Sequence, residues 1–280
     1  MSRIGVVWFL WTVDLNDESL PAVAMSAAAS QADVLEIAYM PGCGLDADRA
    51  AEALGQAGIE ASVLTILPPE ADTSSEDAGV RAASIAHLQA ATDFAAGVCS
   101  PVVMGPLQRA LNSASITAPD VRDGHLRRSV ETLKEVGAYA ARQGVALAIE
   151  PLNRFEIDLV NTVADGVAVC ESIGLDNVGL GLDVVHLNIE EHDPAAALRA
   201  AGGHLRHLHA PDNDRGVPGT GHAPWAELAV AARESGFDGI VTFESWTGDL
   251  EAGWRMWRPY FPDADAAARD AVTFLRAQFA

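Results

Sequence analysis

The sequence predicts a single-domain α/β protein built as a closed (β/α)8 barrel. Three observations predict it. Eight short apolar runs alternate with longer Ala-rich amphipathic stretches, glycines sit at the helix-to-strand junctions, and the chain has 280 residues. A barrel of this kind runs to about 250 residues as one domain. No composition break marks a linker, so residues 1–280 are expected to form one unit.

The first apolar run, 4–12, with the strand expected at 4–10, is too short to cross a membrane and lacks the layout of a signal peptide. It is expected to be the first buried strand. Further strands are expected at 34–38, 61–66, 98–105, 145–150, 178–183, 205–209 and 239–244. Their continuous apolar character suits strands covered on both faces, as in a parallel sheet. Helices are expected at 17–32, 46–57, 76–96, 123–143, 162–173, 193–201, 224–235 and 263–279. Asp17 and Asp46 open the first two, where a carboxylate complements the helix dipole. Gly58, Gly144, Gly174 and Gly236 fall at helix ends, where a left-handed residue closes the last turn. No GxGxxG follows the first strand, which argues against an open doubly wound sheet. The longest irregular stretches, 106–120 and 210–223, follow strands four and seven, on the barrel face where active sites lie.

Acidic residues number 39 against 18 basic ones, for a formal charge of −21. Phosphate contacts need clustered Lys and Arg, so nucleic acid and anionic membrane surfaces are excluded as partners. The three cysteines, Cys43, Cys99 and Cys170, form no CxxC and no framework of pairs. A reducing, cytoplasmic setting fits them.

Four polar residues close otherwise apolar strands: Glu150, Asp183, His209 and Glu244 end strands five, six, seven and eight. Taken alone, Asp183 would serve equally as a helix N-cap, and His209 as a satisfied buried histidine. Taken together, their separations of 33, 26 and 35 positions each equal one strand–helix unit, so all four converge on one mouth. Three carboxylates in one low-dielectric space repel each other, and a divalent cation resolves that. Three carboxylates and one imidazole suit Mn²⁺, Co²⁺ or Mg²⁺. Glu156, His186 and Arg215 lie six, three and six positions beyond Glu150, Asp183 and His209. They could supply charge-assisted hydrogen bonds to a small polyol or keto sugar; the alternatives are a surface ion pair for Glu156 and Arg215, and a cap or core contact for His186. The glycine-rich segment 216–221 lacks the Lys of a P-loop and is expected to be a lid or turn. Trp246, Trp254 and Trp257 are expected to pack under the last helix, and His87 and His125 to lie on helix surfaces.

Four segments carry a resemblance: EPLNRFE at 150–156, LDVVHLNIEE at 182–191, HLHAPDNDRGVPGTGHAPW at 207–225 and FESW at 243–246. Together they resemble the ketose 3-epimerases of the xylose isomerase-like barrel superfamily. The resemblance implies that Glu150, Asp183, His209 and Glu244 are metal ligands, with Mn²⁺ usual. It implies that Glu150 and Glu244 form the acid–base pair, that Glu156, His186 and Arg215 contact the sugar, and that the protein is a homodimer or homotetramer. Where relatives carry an aromatic after strand four, this chain reads GPLQRALNSASITAP, with Leu107 and Leu111 as apolar candidates and Trp8 and Trp11 near strand one as compensation. Two alternatives stay open at this level: a sibling isomerase acting on hydroxypyruvate, erythrulose-type sugars or 2-keto-tetronates, and a non-catalytic sugar-binding barrel.

Overall fold

A computed structural model describes residues 2–40, 42–113, 116, 118–246 and 258–279. Eight parallel strands close in sequence order: β1 Arg3–Val7, β2 Val34–Ala38, β3 Glu60–Leu64, β4 Val102–Gly105, β5 Ala146–Ile149, β6 Val178–Asp183, β7 Leu205–His209 and β8 Ile240–Phe243. Closure is made by β1 against β8, with Ile4 beside Val241. The strands are buried nearly throughout, including Ile4, Leu35, Val63, Leu147 and Val241 at 0% exposure. Each such side chain contributes about 1.5–3 kcal/mol of transfer free energy.

The helices are α1 Leu20–Ala29, α2 Ala47–Ala57, α3 Ala78–Gly97, α4 Pro119–Arg142, α5 Val163–Ile173, α6 Val184–Glu190, α7 Pro194–Ala201, α8 Trp225–Glu234 and α9 Ala264–Phe279. Asp46, Thr162 and Asp193 cap α2, α5 and α7 through their side-chain oxygens. All four predicted cap glycines take positive φ. Among the described residues, no helix is long and apolar enough to cross a membrane.

Several elements differ from the sequence expectation: α1 starts at Leu20, so Asp17 precedes it rather than opening it, and α4 starts at Pro119 rather than at 123. The run 4–10 leaves the sheet at Val7, and Trp8–Leu10 form a 3-10 turn. Strand four starts at Val102 rather than at 98, because Cys99 adopts a left-handed φ of 57° and turns the chain. The short helix α6 follows β6 directly, where its apolar sequence gives no amphipathic stripe to reveal it.

Candidate active site

The strand ends place each polar group by backbone bonds. Gly105 closes β4 at φ 139°, with Thr65 O only 2.0 Å from where a Cβ would stand. No side chain fits there, and the Gly105 carbonyl accepts the Glu150 N–H at 2.8 Å. Gln108 donates its amide to the Glu150 carbonyl, also at 2.8 Å. With both backbone groups fixed, the Glu150 carboxylate faces the mouth. Asp183 ends β6 and divides its carboxylate: Oδ1 accepts from Val185 N at 2.7 Å and caps α6, while Oδ2 faces the centre. Thus the capping and the site readings of Asp183 are both satisfied by one side chain.

His209 ends β7. Its Nε2 is held 2.6 Å from Glu36 Oε1. Its Nδ1 lies 3.3 Å from Glu244 Oε2, 3.6 Å from Glu150 Oε1 and 4.0 Å from Asp183 Oδ2. That buried nitrogen has no hydrogen-bond partner. Buried polar atoms are nearly always partnered, so an orphan aimed at three carboxylates marks a place for a cation. The chain itself supports this charge demand. Arg215 Nη1 donates to Asp183 Oδ2 and, at 2.6 Å, to Glu244 Oε2. The donor set and the orphan nitrogen fit a hard divalent metal ion.

Arg215 is brought there by the loop after β7. Its φ is 70°, a left-handed conformation unusual for a long side chain. The Arg215 carbonyl accepts from Ser245 Oγ at 2.6 Å, and its guanidinium lies 5.0 Å from the Trp246 ring centroid. The loop is wound around Asp212, whose buried carboxylate accepts from Gly219 N, Ala223 N and Trp225 Nε1. A Cβ on Gly221 would stand 2.3 Å from Asp212 Oδ1. The glycine-rich segment is therefore a turn that encloses a carboxylate. Burial raises the pKa of Asp212, but the bonds from Trp225 and the backbone amides outweigh it and lower it.

His186 sits on α6 with Nε2 3.9 Å from both Glu150 Oε1 and Asp183 Oδ2, and 3.5 Å from Arg215 Nη2. Asn153 Nδ2 donates to His186 Nδ1 at 2.9 Å and to Glu156 Oε1 at 2.8 Å. That bond makes Nδ1 the acceptor and leaves the Nε2–H to face the centre.

Electrostatics separate the two glutamates. Burial pushes the Glu150 pKa up, against the pull of His209 and His186. Burial acts on Glu244 too, but His209 and Arg215 outweigh it and bring that carboxyl down to about 2. Desolvation would lower the His209 pKa, yet Glu244 and Glu36 raise it well above the ordinary imidazole value. For Glu36, burial again raises, and the charges of His209 and His207 overcome it, so its pKa is well below the carboxylate range.

Glu150, Glu156, His186, Arg215 and Glu244 line one cavity of about 370 Å³. Asp183 and His209 lie buried beside them. The family model for a xylose isomerase-like TIM barrel matches residues 22–278. L-ribulose 3-epimerase of Mesorhizobium japonicum is 31% identical over 280 residues, covering 98% of this chain and 93% of that protein. The chain belongs to the ketose 3-epimerases of the xylose isomerase-like TIM barrel family. D-psicose 3-epimerase of Agrobacterium fabrum is 36% identical over 72% of this chain and 73% of that protein. The crystal structure of D-allulose 3-epimerase from Methylomonas sp. in complex with D-allulose matches at a TM-score of 0.93 and 26% identity, covering 99% of this chain and 97% of that one.

In this ketose 3-epimerase family member, all seven residues singled out from the sequence meet at one mouth, and Arg215 is no surface ion pair. Other expectations are corrected. His87 and His125 are buried rather than on helix surfaces: His87 Nε2 meets Thr65 Oγ1 at 2.8 Å, and His125 Nδ1 meets Arg109 Nη1 at 3.1 Å. Trp246 lines the cavity and stacks on Phe9, 5.2 Å between centroids. Trp254 and Trp257 lie outside the described residues. Leu111 lines the cavity, whereas Leu107 is in the core. The β1 side contributes Phe9 to the cavity lining in place of Trp8 or Trp11. Glu36, His207, Asn153 and Asp212 were not singled out. Glu36 had a signal: a lone carboxylate inside the apolar run Val-Leu-Glu-Ile-Ala must be paired if buried.

Proposed function

We propose that the protein is an isomerase that inverts C3 of a free ketose, with Glu150, Asp183, His209 and Glu244 holding one divalent cation and Glu150 and Glu244 acting as the acid–base pair. The observation that carries this is the convergence of three carboxylates on the orphan Nδ1 of His209. Mn²⁺ is the first choice of ion, with Co²⁺ and Mg²⁺ compatible with the same donors. When bound, the cation polarises the ketose carbonyl and stabilises negative charge on the adjoining oxygens.

A ketose C3–H is acidified by the neighbouring C2 carbonyl. One glutamate takes that proton from one face and leaves a planar enediolate. The other glutamate returns a proton to the opposite face, which inverts C3. Glu150 follows β5 and Glu244 follows β8, with β6 and β7 between them, so the pair flanks the cavity. In the reverse reaction the roles exchange. Each positioned group contributes about 10²–10⁴-fold. His186 and Arg215 bind the O1–O2 end of the sugar through their N–H groups, and Glu156 shares Asn153 with His186 and orients it.

Residues 1–280 act as one domain, in the cytoplasm, as a homodimer or homotetramer with a small-molecule sugar as substrate. The sibling-isomerase and binding-protein alternatives are disfavoured, because relatives covering nearly the whole chain are ketose 3-epimerases. The test is to strip metal with a chelator, restore Mn²⁺, Co²⁺ or Mg²⁺, and assay a panel of ketohexoses, ketopentoses and tetruloses by chromatography. Interconversion of C3 epimers, lost on chelation and regained with Mn²⁺, is expected. An aldose or keto-acid product in place of a C3 epimer would move the reaction to the sibling class.

A further inference from the structure

We propose that Glu36 is a positioning residue for the metal centre, holding the His209 ring so that Nδ1 is the nitrogen offered to the cation. This rests on the reading of His209 as a metal ligand. Glu36 stands in the middle of β2, is 0% exposed, and has Val34, Leu35, Ile37 and Ala38 as its apolar strand neighbours. Its Oε1 lies 2.6 Å from His209 Nε2 and its Oε2 2.9 Å from His207 Nε2, and Oε2 also accepts from Ser62 Oγ at 3.0 Å. The two imidazoles are edge-on, 5.1 Å apart at 89°, so each limits the rotation of the other.

Stability alone gives no reason to place a carboxylate here. Replacing a buried ion pair with apolar side chains is often neutral or stabilising. What the carboxylate supplies is direction. It can only accept hydrogen bonds, so the His209 nitrogen that faces it must carry the proton. The Nδ1 lone pair is then left for the centre formed with Glu150, Asp183 and Glu244, where the structure leaves that nitrogen without a partner. Oε1 makes the hydrogen bond to His209, while Oε2 accepts from Ser62 and lies at ion-pair distance from His207, whose Nε2 has no hydrogen-bond partner. An amide offers one acceptor and one donor, so one of the two rings would meet an N–H and would have to change tautomer or turn.

The test titrates metal-free protein with Co²⁺ alone, followed by its d–d absorption, with no substrate present. Glu36→Gln is expected to bind Co²⁺ about 10–100-fold more weakly, the usual cost of losing a carboxylate behind a ligating histidine. At saturating Mn²⁺ its KM for a ketose should match the unsubstituted protein. If Glu36→Gln fails to fold, Glu36→Asp, too short to reach both rings, is expected to show the same weakening. A lowered Tm of the metal-free variant together with unchanged Co²⁺ affinity would overturn the proposal and leave Glu36 a packing residue. His209→Gln, titrated in parallel, separates the two levels. If it loses Co²⁺ while the Glu36 variants keep it, only the positioning role falls. If His209→Gln itself binds Co²⁺ normally, the ligand assignment falls and the positioning role with it.

Discussion

The two halves of the cavity are furnished differently. Among the described residues, the loops and strand ends of β5 to β8 bring to it every charged lining side chain, Glu150, Glu156, His186, Arg215 and Glu244, together with apolar ones such as Leu152, Val185 and Trp246. The β1, β3 and β4 side brings Phe9, Leu64, Ile66, Pro106 and Leu111, with Asn112 as its polar side chain. The charged half is over-determined: Glu150 is held by Gly105 and Gln108, Asp183 by its own helix, and His186 by Asn153. The apolar half offers surface without direction. Under the proposed function, chemistry, which needs placement to a fraction of an ångström, is expected from the first half, and discrimination among sugars, which tolerates a methylene of slack, is expected to draw on the second.

The sharpest way to break this division is to remove an acid–base group. Glu150→Gln and Glu244→Gln should each lower kcat by about 10²–10⁴-fold at saturating Mn²⁺, with the fold retained by circular dichroism. Near-normal turnover in either would remove that residue from the proton path. Arg215→Ala deletes a buried charge partner and should lower kcat/KM by roughly 10²-fold, mostly through KM. Steady-state kinetics on one ketose would show it, and an active variant would return Arg215 to a structural ion pair.

Changes on the apolar half should move preference rather than abolish turnover. Leu111→Ala is expected to alter the ratio of kcat/KM between a ketohexose and a ketopentose by about tenfold, with Co²⁺ affinity unchanged. A loss of turnover with both sugars would mean that this half also positions the reacting carbons.

The smallest effect concerns acid stability of the metal-free protein. In the folded chain burial raises the Glu244 carboxyl, but the charges of His209 and Arg215 outweigh it and bring it down to about 2, below the ordinary carboxylate range. A depressed carboxyl contributes stability that is complete above the unfolded value and is lost as pH falls through the folded one. Urea midpoints should therefore fall from about pH 4.5 toward pH 2, and Glu244→Gln should flatten that limb. Equal slopes for the two proteins would show that other carboxyls dominate.

The barrel and its charged half were legible because both obey a period. Strands buried on both faces stand out as apolar runs, and a polar residue ending each of four successive runs is improbable without a shared purpose. What escaped was whatever depends on cross-barrel contact. Glu36 and His207 are joined across the interior from strands far apart in sequence. Asn153 matters through the rings and carboxylates it touches, and Phe9 reaches the cavity only because the first run breaks into a 3-10 turn at Trp8. His87 and His125 looked like surface residues because helix α3 and helix α4 are long and polar on one side; their partners, Thr65 and Arg109, come from other elements.

Two glutamates are proposed to invert C3 of the ketose. Incubating the Mn²⁺-loaded protein with a ketohexose in D₂O and reading the product by NMR tests it most directly. Deuterium at C3 of the epimerised sugar, absent with Glu150→Gln and with Glu244→Gln, is the predicted result. Deuterium at C1 alone, or epimer formed with its C3 hydrogen retained, would contradict it.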